Sequence, residues 1–514
     1  MIAVGGGRPG VGHSIIGANL ALYLAQLGRK VVLVDADPCG ATLHTMLDVE
    51  PPPPADPAVH GAAAHPADPL ADDELVPIPT PVPGLALLPQ VYSIGSTVPV
   101  RPGRKPRWAR GLRQLDADYI VLDLGPGTAP ATLDLFLEAD LGVCVTTPEP
   151  PSVEAAYRFF RALFQRRVRR TLVKDRFKLR MLERALAQLE PLPSPIRLIQ
   201  TAARYDSSIS ERAATELSKL RPRLVVNGAR LRQDSELGPA MVDMAARYLG
   251  VTVDYVGHVE QDDAVWLSVV RRKPLLVDGP TSKSARNVER VARRILALAT
   301  SREQPRQVDP IPLTEQDPNL YEVLWTHRGA TDEDLRRAYK RQRDIYQPGS
   351  LPITSLLSEA ELARERARVE EAHDTLLDPV RRRAYDISVF PDAEDSTRSA
   401  RPEVDGAVLA ERAMLREELA REIHAETEFT GRLLERVRES QGVEIDDIAQ
   451  RTKIAAAHVR AIEAEDFGKL PAQVYTRGFV QQIAKLLGLD PTQVTRTYLR
   501  RMRQWQKTQD LPPV

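Results

Sequence analysis

Residues 4–14 read VGGGRPGVGHS, a glycine-rich run that closes on the hydroxyl of Ser14. Glycines at this density let a backbone wrap closely around a phosphate. The start of a following helix adds N–H groups and a dipole that favour an anion. Gly10, Val11, Gly12, His13, Ser14 and Ile15 would form the cradle, with Arg8 ahead of them. The position where a phosphate loop carries lysine is filled by His13. Further polar groups stand at the ends of apolar runs: Asp35 and Asp37 in RKVVLVDADPCG, Asp123 in DYIVLDLGPG, Pro148 and Glu149 after DLGVCVTT, and Asn227 in PRLVVNGARL.

The surrounding elements fit that reading. Ile2–Val4 is a short buried strand. IIGANLALYLAQLG carries apolar residues at helical spacing and stops at Gly28. Strand, glycine turn and helix is the context a phosphate loop requires. The other four runs predict strands alternating with helices, hence an α/β fold with a parallel sheet and its sites at the strand carboxyl ends. Asp35, Asp37, Asp123, Pro148, Glu149 and Asn227 all fall at such ends.

Residues 1–300 resemble the MinD/ParA family of deviant Walker ATPases, whose loop reads KGGVGK[ST] where this chain reads Arg8-Pro9-Gly10-Val11-Gly12-His13-Ser14. RYLGVTVDYVGHVEQDDAVWLSVVRRKPLLV is similar to the MinD and FlhG-like branch. The resemblance implies ATP or ADP with Mg²⁺ as cofactors. It implies that Ser14, Asp35 and Asp123 serve the metal and that Asp37 orients the attacking water. It also implies that Pro148, Glu149 and Asn227 face the base, and that Arg8 reaches across a nucleotide-dependent homodimer. The chain departs from the family at His13, because an imidazole of pKa near ~6.5 supplies little fixed charge at neutral pH. Losing one positioned charge contact costs roughly 3–4 kcal/mol of barrier, about 10²–10³ in rate. Pro9 removes an N–H from the loop rim. The expectation is nucleotide binding with weak or absent hydrolysis. A slow ATPase switch and a loop that binds no nucleotide are the alternatives.

The chain of 514 residues predicts about three domains. Its 70 basic and 70 acidic residues imply no global steering toward nucleic acid or anionic lipid. Cys39 and Cys144 lie on predicted buried strands, too few for a disulfide framework. No run approaches the ~18 apolar residues of a membrane span, and the early first strand argues against a signal peptide. A cytoplasmic location is expected. Within 1–300, the Pro/Ala/Asp-rich insert 51–83 is expected to be disordered. The insert 158–200 is helical and basic from Arg166 to Arg180, either a solvated face or a partner or membrane-surface helix.

Two all-α modules are expected beyond a linker at 301–316. Residues 317–390 resemble a J-domain in AYKRQRDIY and EEAHDTLLDPVRRRAYD. Gln347-Pro348-Gly349 stands where that family has the His-Pro-Asp that engages Hsp70, so no co-chaperone activity is expected. Residues 391–424 read as a charged linker or solvated helix. Residues 425–505, before a tail at 506–514, are predicted as a helix-turn-helix. Its expected core is Leu433, Leu434, Val437, Ile445, Ile448, Val459, Ile462, Leu470, Val474, Phe479, Ile483 and Leu486.

IEAEDFGKLPAQVYTRGFVQQIAKLLGLDP resembles the RodZ cytoplasmic domain. That resemblance implies docking to an MreB-like filament, with Tyr475 and Phe479 in the partner segment. DNA readout is the rival. The motif's second helix opens on Ala455, Ala456 and Ala457, which make no bidentate base contacts. It ends in acidic Glu463, Glu465 and Asp466. Arg496, Arg500, Arg501 and Arg503 would allow weak, non-specific phosphate contacts. The combination is read as a cytoplasmic bacterial spatial regulator or scaffold acting through polarity, motility or filament partners. A slow ATPase switch and a transcriptional regulator are the alternatives.

Overall fold

The computed structural model describes residues 1–37, 42–50, 76–89, 111–300, 318–390, 406–424 and 426–509. Cys39, the linker 301–316 and insert residues 51–75 lie outside them. The chain divides into two compact units. The first comprises 1–295 and 302–403, the second 296–301 and 404–514.

The first unit is built on an eight-stranded sheet of order β3-β4-β2-β5-β1-β6-β7-β8. Its strands are β1 Ile2–Gly5, β2 Val31–Ala36, β3 Ile78–Pro79, β4 Leu85–Pro89, β5 Tyr119–Leu124, β6 Leu141–Thr146, β7 Arg223–Ala229 and β8 Asp254–Glu260. All neighbours pair parallel except β3 with β4. β1, β2 and β6 are buried at every residue, as continuous apolar runs covered by helices on both faces require. The chain leaves β1 toward β2 on one side but passes from β5 to β6 on the other. That reversal of direction opens the crevice in which α/β folds bind ligands.

Three strands escaped the sequence reading. β4 follows directly on the proline-rich stretch and is only five residues long. β8 mixes polar and apolar residues around Gly257 and pairs with β7 through two register shifts. β3 lies inside the 51–83 insert, whose described end forms this antiparallel edge pair instead of a structureless loop.

The basic insert is also core. Helix α4, Pro150–Leu172, buries Phe159, Phe160, Leu163, Phe164, Val168 and Leu172. Here α1 is His13–Gln26, α2 Leu43–Met46 and α3 Pro130–Glu138. The α4 arginines turn back onto carboxylates of the same unit. Arg166 donates to Asp134 (Nε–Oδ1 2.8 Å), Arg167 to Glu216 (2.7 Å) and Arg170 to Glu138. The charge of these three arginines is used within the fold, while Arg169, Lys174, Arg176 and Arg180 of the same stretch are exposed.

Residues 318–390 form four helices, Leu320–Val323, Asp332–Ile345, Glu359–Leu376 and Pro379–Val389. Three start with capping boxes, Asn319/Glu322, Thr331/Asp334 and Ser358/Glu361. Gln347, Pro348 and Gly349 are exposed in a turn closed by Ser350 N–H onto the Gln347 carbonyl at 3.0 Å. This module shares one apolar core with the α/β sheet layer. Tyr157 donates to the Pro352 carbonyl at 2.6 Å, and the Tyr248 and Tyr346 hydroxyls meet at 2.9 Å. Arg247 pairs with Glu365 at 2.7 Å and lies over both tyrosine rings.

The second unit contains helices Gly406–Glu422, Gly431–Gln441, Ile445–Thr452, Ala456–Glu463, Gln473–Leu486 and Pro491–Gln509. The first was expected to be solvated. It instead buries Leu415 and Leu419, with Leu419 in the core of the helices that follow. Its two apolar anchors are spaced i, i+4, too sparse to stand out in a charged sequence.

Most expected core positions are buried or pack on that core; Val474 does not, and is 80% exposed. The acidic end of the motif helix is structural. Glu463 takes a bidentate pair from buried Arg438 (2.6 and 3.0 Å), and Glu465 takes one from Arg501 (2.8 and 2.7 Å). Arg500 is likewise paired, with Glu428 at 2.9 Å.

Candidate functional site: the loop between β1 and α1

The loop residues sit at the carboxyl end of β1, the central crossing point of the sheet. Register brings Val4 beside Asp123 and Asp35 beside Asp123, so both carboxylates stand next to the loop. Gly127 N–H donates to the Gly6 carbonyl at 2.9 Å and ties the segment after Asp123 to the loop. Gly10 and Gly12 adopt φ of +82° and +86°, the left-handed region that glycine enters at no steric cost. Gly12 is the N-cap of α1 and has no side chain to satisfy its first turn. The first N–H groups of α1 therefore face outward without intrahelical partners. A Cβ on Gly12 would collide with the Asn227 amide, and one on Gly7 with the Ala155 carbonyl. Gly7 belongs to the quoted run, yet nothing in sequence marked its role; only the close approach of α4 shows it.

His13 is the decisive side chain. It is 6% exposed and turns inward. Its Nδ1 lies 2.9 Å from Asp123 Oδ1 and 3.2 Å from Ser14 Oγ. Burial works against a charged ring here. The hydrogen bond and charge of Asp123, with Asp37 and Asp35 behind it, outweigh burial and raise the pKa above the ordinary histidine value. The sequence expectation of an ordinary, weakly charged imidazole is corrected on this point. The ring gains positive character, but directs it at Asp123.

Asp35 is buried; loss of solvent pushes its carboxyl up to about 6. Leu43 N–H donates to its Oδ2 at 2.9 Å, while its Oδ1 has no hydrogen-bond partner. Asp37 follows β2 at the same rim, half-buried. Asn227 donates its amide to the Val11 carbonyl at 2.9 Å, so its side chain braces the loop. Arg8 lies 3.6 Å from Glu149, both well exposed, and Pro148 precedes that glutamate. The fold thus brings Asp35, Asp37, Asp123 and Asn227 to the loop of Arg8, Gly10, Val11, Gly12, His13, Ser14 and Ile15, with Glu149 against Arg8. Tyr475 and Phe479 belong to the second unit. Tyr475 is 66% exposed, and Phe479 is half-buried and stacked on His458 with centroids 5.5 Å apart.

A ParA family model, described as an iron-transfer P-loop NTPase of NUBPL type, matches residues 1–86. The amino-terminal domain is a ParA/MinD-like P-loop NTPase domain. A helix-turn-helix domain model matches residues 433–494 and places that motif in the second unit. The iron–sulfur cluster carrier protein of Bacillus subtilis is 31% identical over 166 residues, 30% of this chain and 42% of that protein. Its Escherichia coli K12 counterpart is 33% identical over 160 residues, 29% and 38% of the two chains. The match thus spans about two fifths of these relatives.

Among solved structures, the septum site-determining protein MinD of Pyrococcus horikoshii, complexed with Mg-ADP, is similar at 18% identity and a TM-score of 0.37, covering 58% of this chain and 96% of that one. The MinC:MinD complex of Aquifex aeolicus is similar at 18% identity and a TM-score of 0.34, covering 59% and 98%. Among the described residues, no helix is long and apolar enough to cross a membrane.

Proposed function

We propose that the chain is a cytoplasmic spatial regulator or scaffold whose P-loop domain responds to ATP or ADP with weak or absent hydrolysis. The observation that carries this reading is the inward turn of His13 onto Asp123 at 2.9 Å. Phosphoryl transfer depends on positive charge aimed at the transferring group. In this loop the side chain at the lysine position is directed at a carboxylate. The glycine cradle and the start of α1 remain shaped for a polyphosphate. Asp37 would be the water-orienting group of a residual reaction. Arg8, held by Glu149 in a single chain, would be the contact that exchanges partner in a nucleotide-dependent homodimer.

Docking is assigned to the second unit. Val474 and Tyr475, 80% and 66% exposed at the start of one helix, offer an apolar protein-binding edge beside Phe479. An MreB-like filament is the first candidate from the RodZ resemblance. Sequence-specific DNA readout finds less support. The motif helix opens on alanines, and Arg500 and Arg501 already pair with carboxylates.

An iron–sulfur cargo, as the names of the curated relatives raise, fits the residues poorly. Clusters are held by several thiolates. This chain has two cysteines, and Cys144 is buried mid-strand with its thiol pushed up to about 12.

The test is equilibrium binding of ATP and ADP to the full chain, followed by turnover of the bound ATP. Binding without turnover above background is expected. Absence of binding, or turnover that outlasts many cycles unaided, would overturn the reading.

A further inference from the structure

A Mg²⁺ ion accepts oxygen ligands at about 2.0–2.1 Å in near-octahedral geometry and uses one or two protein oxygens beside the phosphates. In the family that this domain resembles, the corresponding oxygens would be Ser14 Oγ and a carboxylate at Asp123. Here one atom, His13 Nδ1, stands within hydrogen-bond distance of both, 3.2 Å from Ser14 Oγ and 2.9 Å from Asp123 Oδ1. The ring stands against two of the oxygens that an ion would need, Asp123 Oδ1 and Ser14 Oγ. It is not a side chain free to swing away, since His13 and Asp123 are 6% and 1% exposed. Uncoupling them would strand a carboxylate in the core, which is strongly unfavourable. The donor set does not fit the metal while this pair persists. Among the described residues, no group of three His, Cys, Asp or Glu side chains is arranged to hold an ion.

We infer that His13 takes the place of the divalent cation, so that the P-loop domain binds its nucleoside di- or triphosphate as the metal-free species. The inference rests on the nucleotide reading given above. The polyphosphate is then met by the N–H groups of the loop and of α1, with Arg8 at the mouth. Mg²⁺, which bridges protein and phosphate in a metal-dependent loop, contributes nothing to affinity here.

The test is ADP binding to the full chain by calorimetry, once in EDTA and once in excess MgCl₂, for the wild type and for His13→Ala and His13→Lys. Two substitutions are used because His13→Ala leaves Asp123 without its partner, whereas His13→Lys keeps a cation near it. Wild-type affinities within about twofold of one another are expected, with Mg²⁺ tightening ADP at least about ten-fold in the variants. A wild type that binds at least about ten-fold tighter with Mg²⁺ overturns the inference. A wild type that binds no ADP in either condition defeats the nucleotide reading instead. The variants then decide this one: Mg²⁺-dependent ADP binding gained on removing the ring upholds it, and none in either variant overturns it.

Discussion

Tyr346→Ala should loosen the P-loop domain although the residue lies in the helical module, more than three hundred positions beyond the glycine loop. Tyr346 is fully buried in the core that the module shares with the α/β layer. Its hydroxyl meets that of Tyr248 at 2.9 Å, and its ring lies under Arg247, whose guanidinium pairs with Glu365. Deleting a buried aromatic ring costs about 3–5 kcal/mol. The loss of the hydroxyl partner leaves Tyr248 short of a hydrogen bond, a further roughly 1–3 kcal/mol where such a group is buried. Against a total stability of about 5–15 kcal/mol for a typical domain, that is a large fraction. The loss should be shared because the core is continuous. Hydrogen exchange read by mass spectrometry separates the outcomes. Expected is a fall in protection of the Glu359–Leu376 helix together with peptides of β6, α4 and β7. Wild-type protection of the sheet beside a melted module would refute the shared core and make the module an independent domain.

Other consequences are equally direct. Glu463→Ala should destabilise the second unit by about 3–5 kcal/mol, because Arg438 is left buried and unpaired, whereas replacing both residues by leucine and methionine should be nearly neutral in denaturant titrations. Gly12→Ala forces a side chain into left-handed backbone and onto the Asn227 amide, and should abolish ADP binding measured by calorimetry with little change in the protection of the second unit. Selection from random DNA duplexes on the full chain should enrich no motif at physiological salt. Any residual affinity should fall steeply as salt rises, and one tightly bound enriched site would argue for transcriptional control.

Much of this was legible because glycine and periodicity speak plainly. The loop, the central strands and most of the helix-turn-helix core follow from positive-φ glycines, continuous apolar runs and i, i+3, i+4 spacing. β3, β4 and β8 were not legible, being short, edge-placed or irregular in register. The pairing of Arg166, Arg167 and Arg170 in α4 was hidden for another reason. Composition counts charges but cannot show that Asp134, Glu138 and Glu216, distant in sequence, come round to pair with these three arginines. The same blindness hid the direction of His13. Its identity shows that a lysine is missing, but only the register of β1 against β5 brings Asp123 within reach and decides where the ring points.

The central claim is that the loop lacks a cation aimed at the phosphates, and ATP turnover by the full chain beside its His13→Lys variant tests it most directly. A lysine there, long enough to lie near Asp123 and still aim its ammonium at the phosphates, would restore the missing contact, worth about 10²–10³ in rate at best. Turnover by the variant at least about ten-fold above the wild type is expected, with the wild type near background. Equal rates for the two proteins, both well above background, would contradict it.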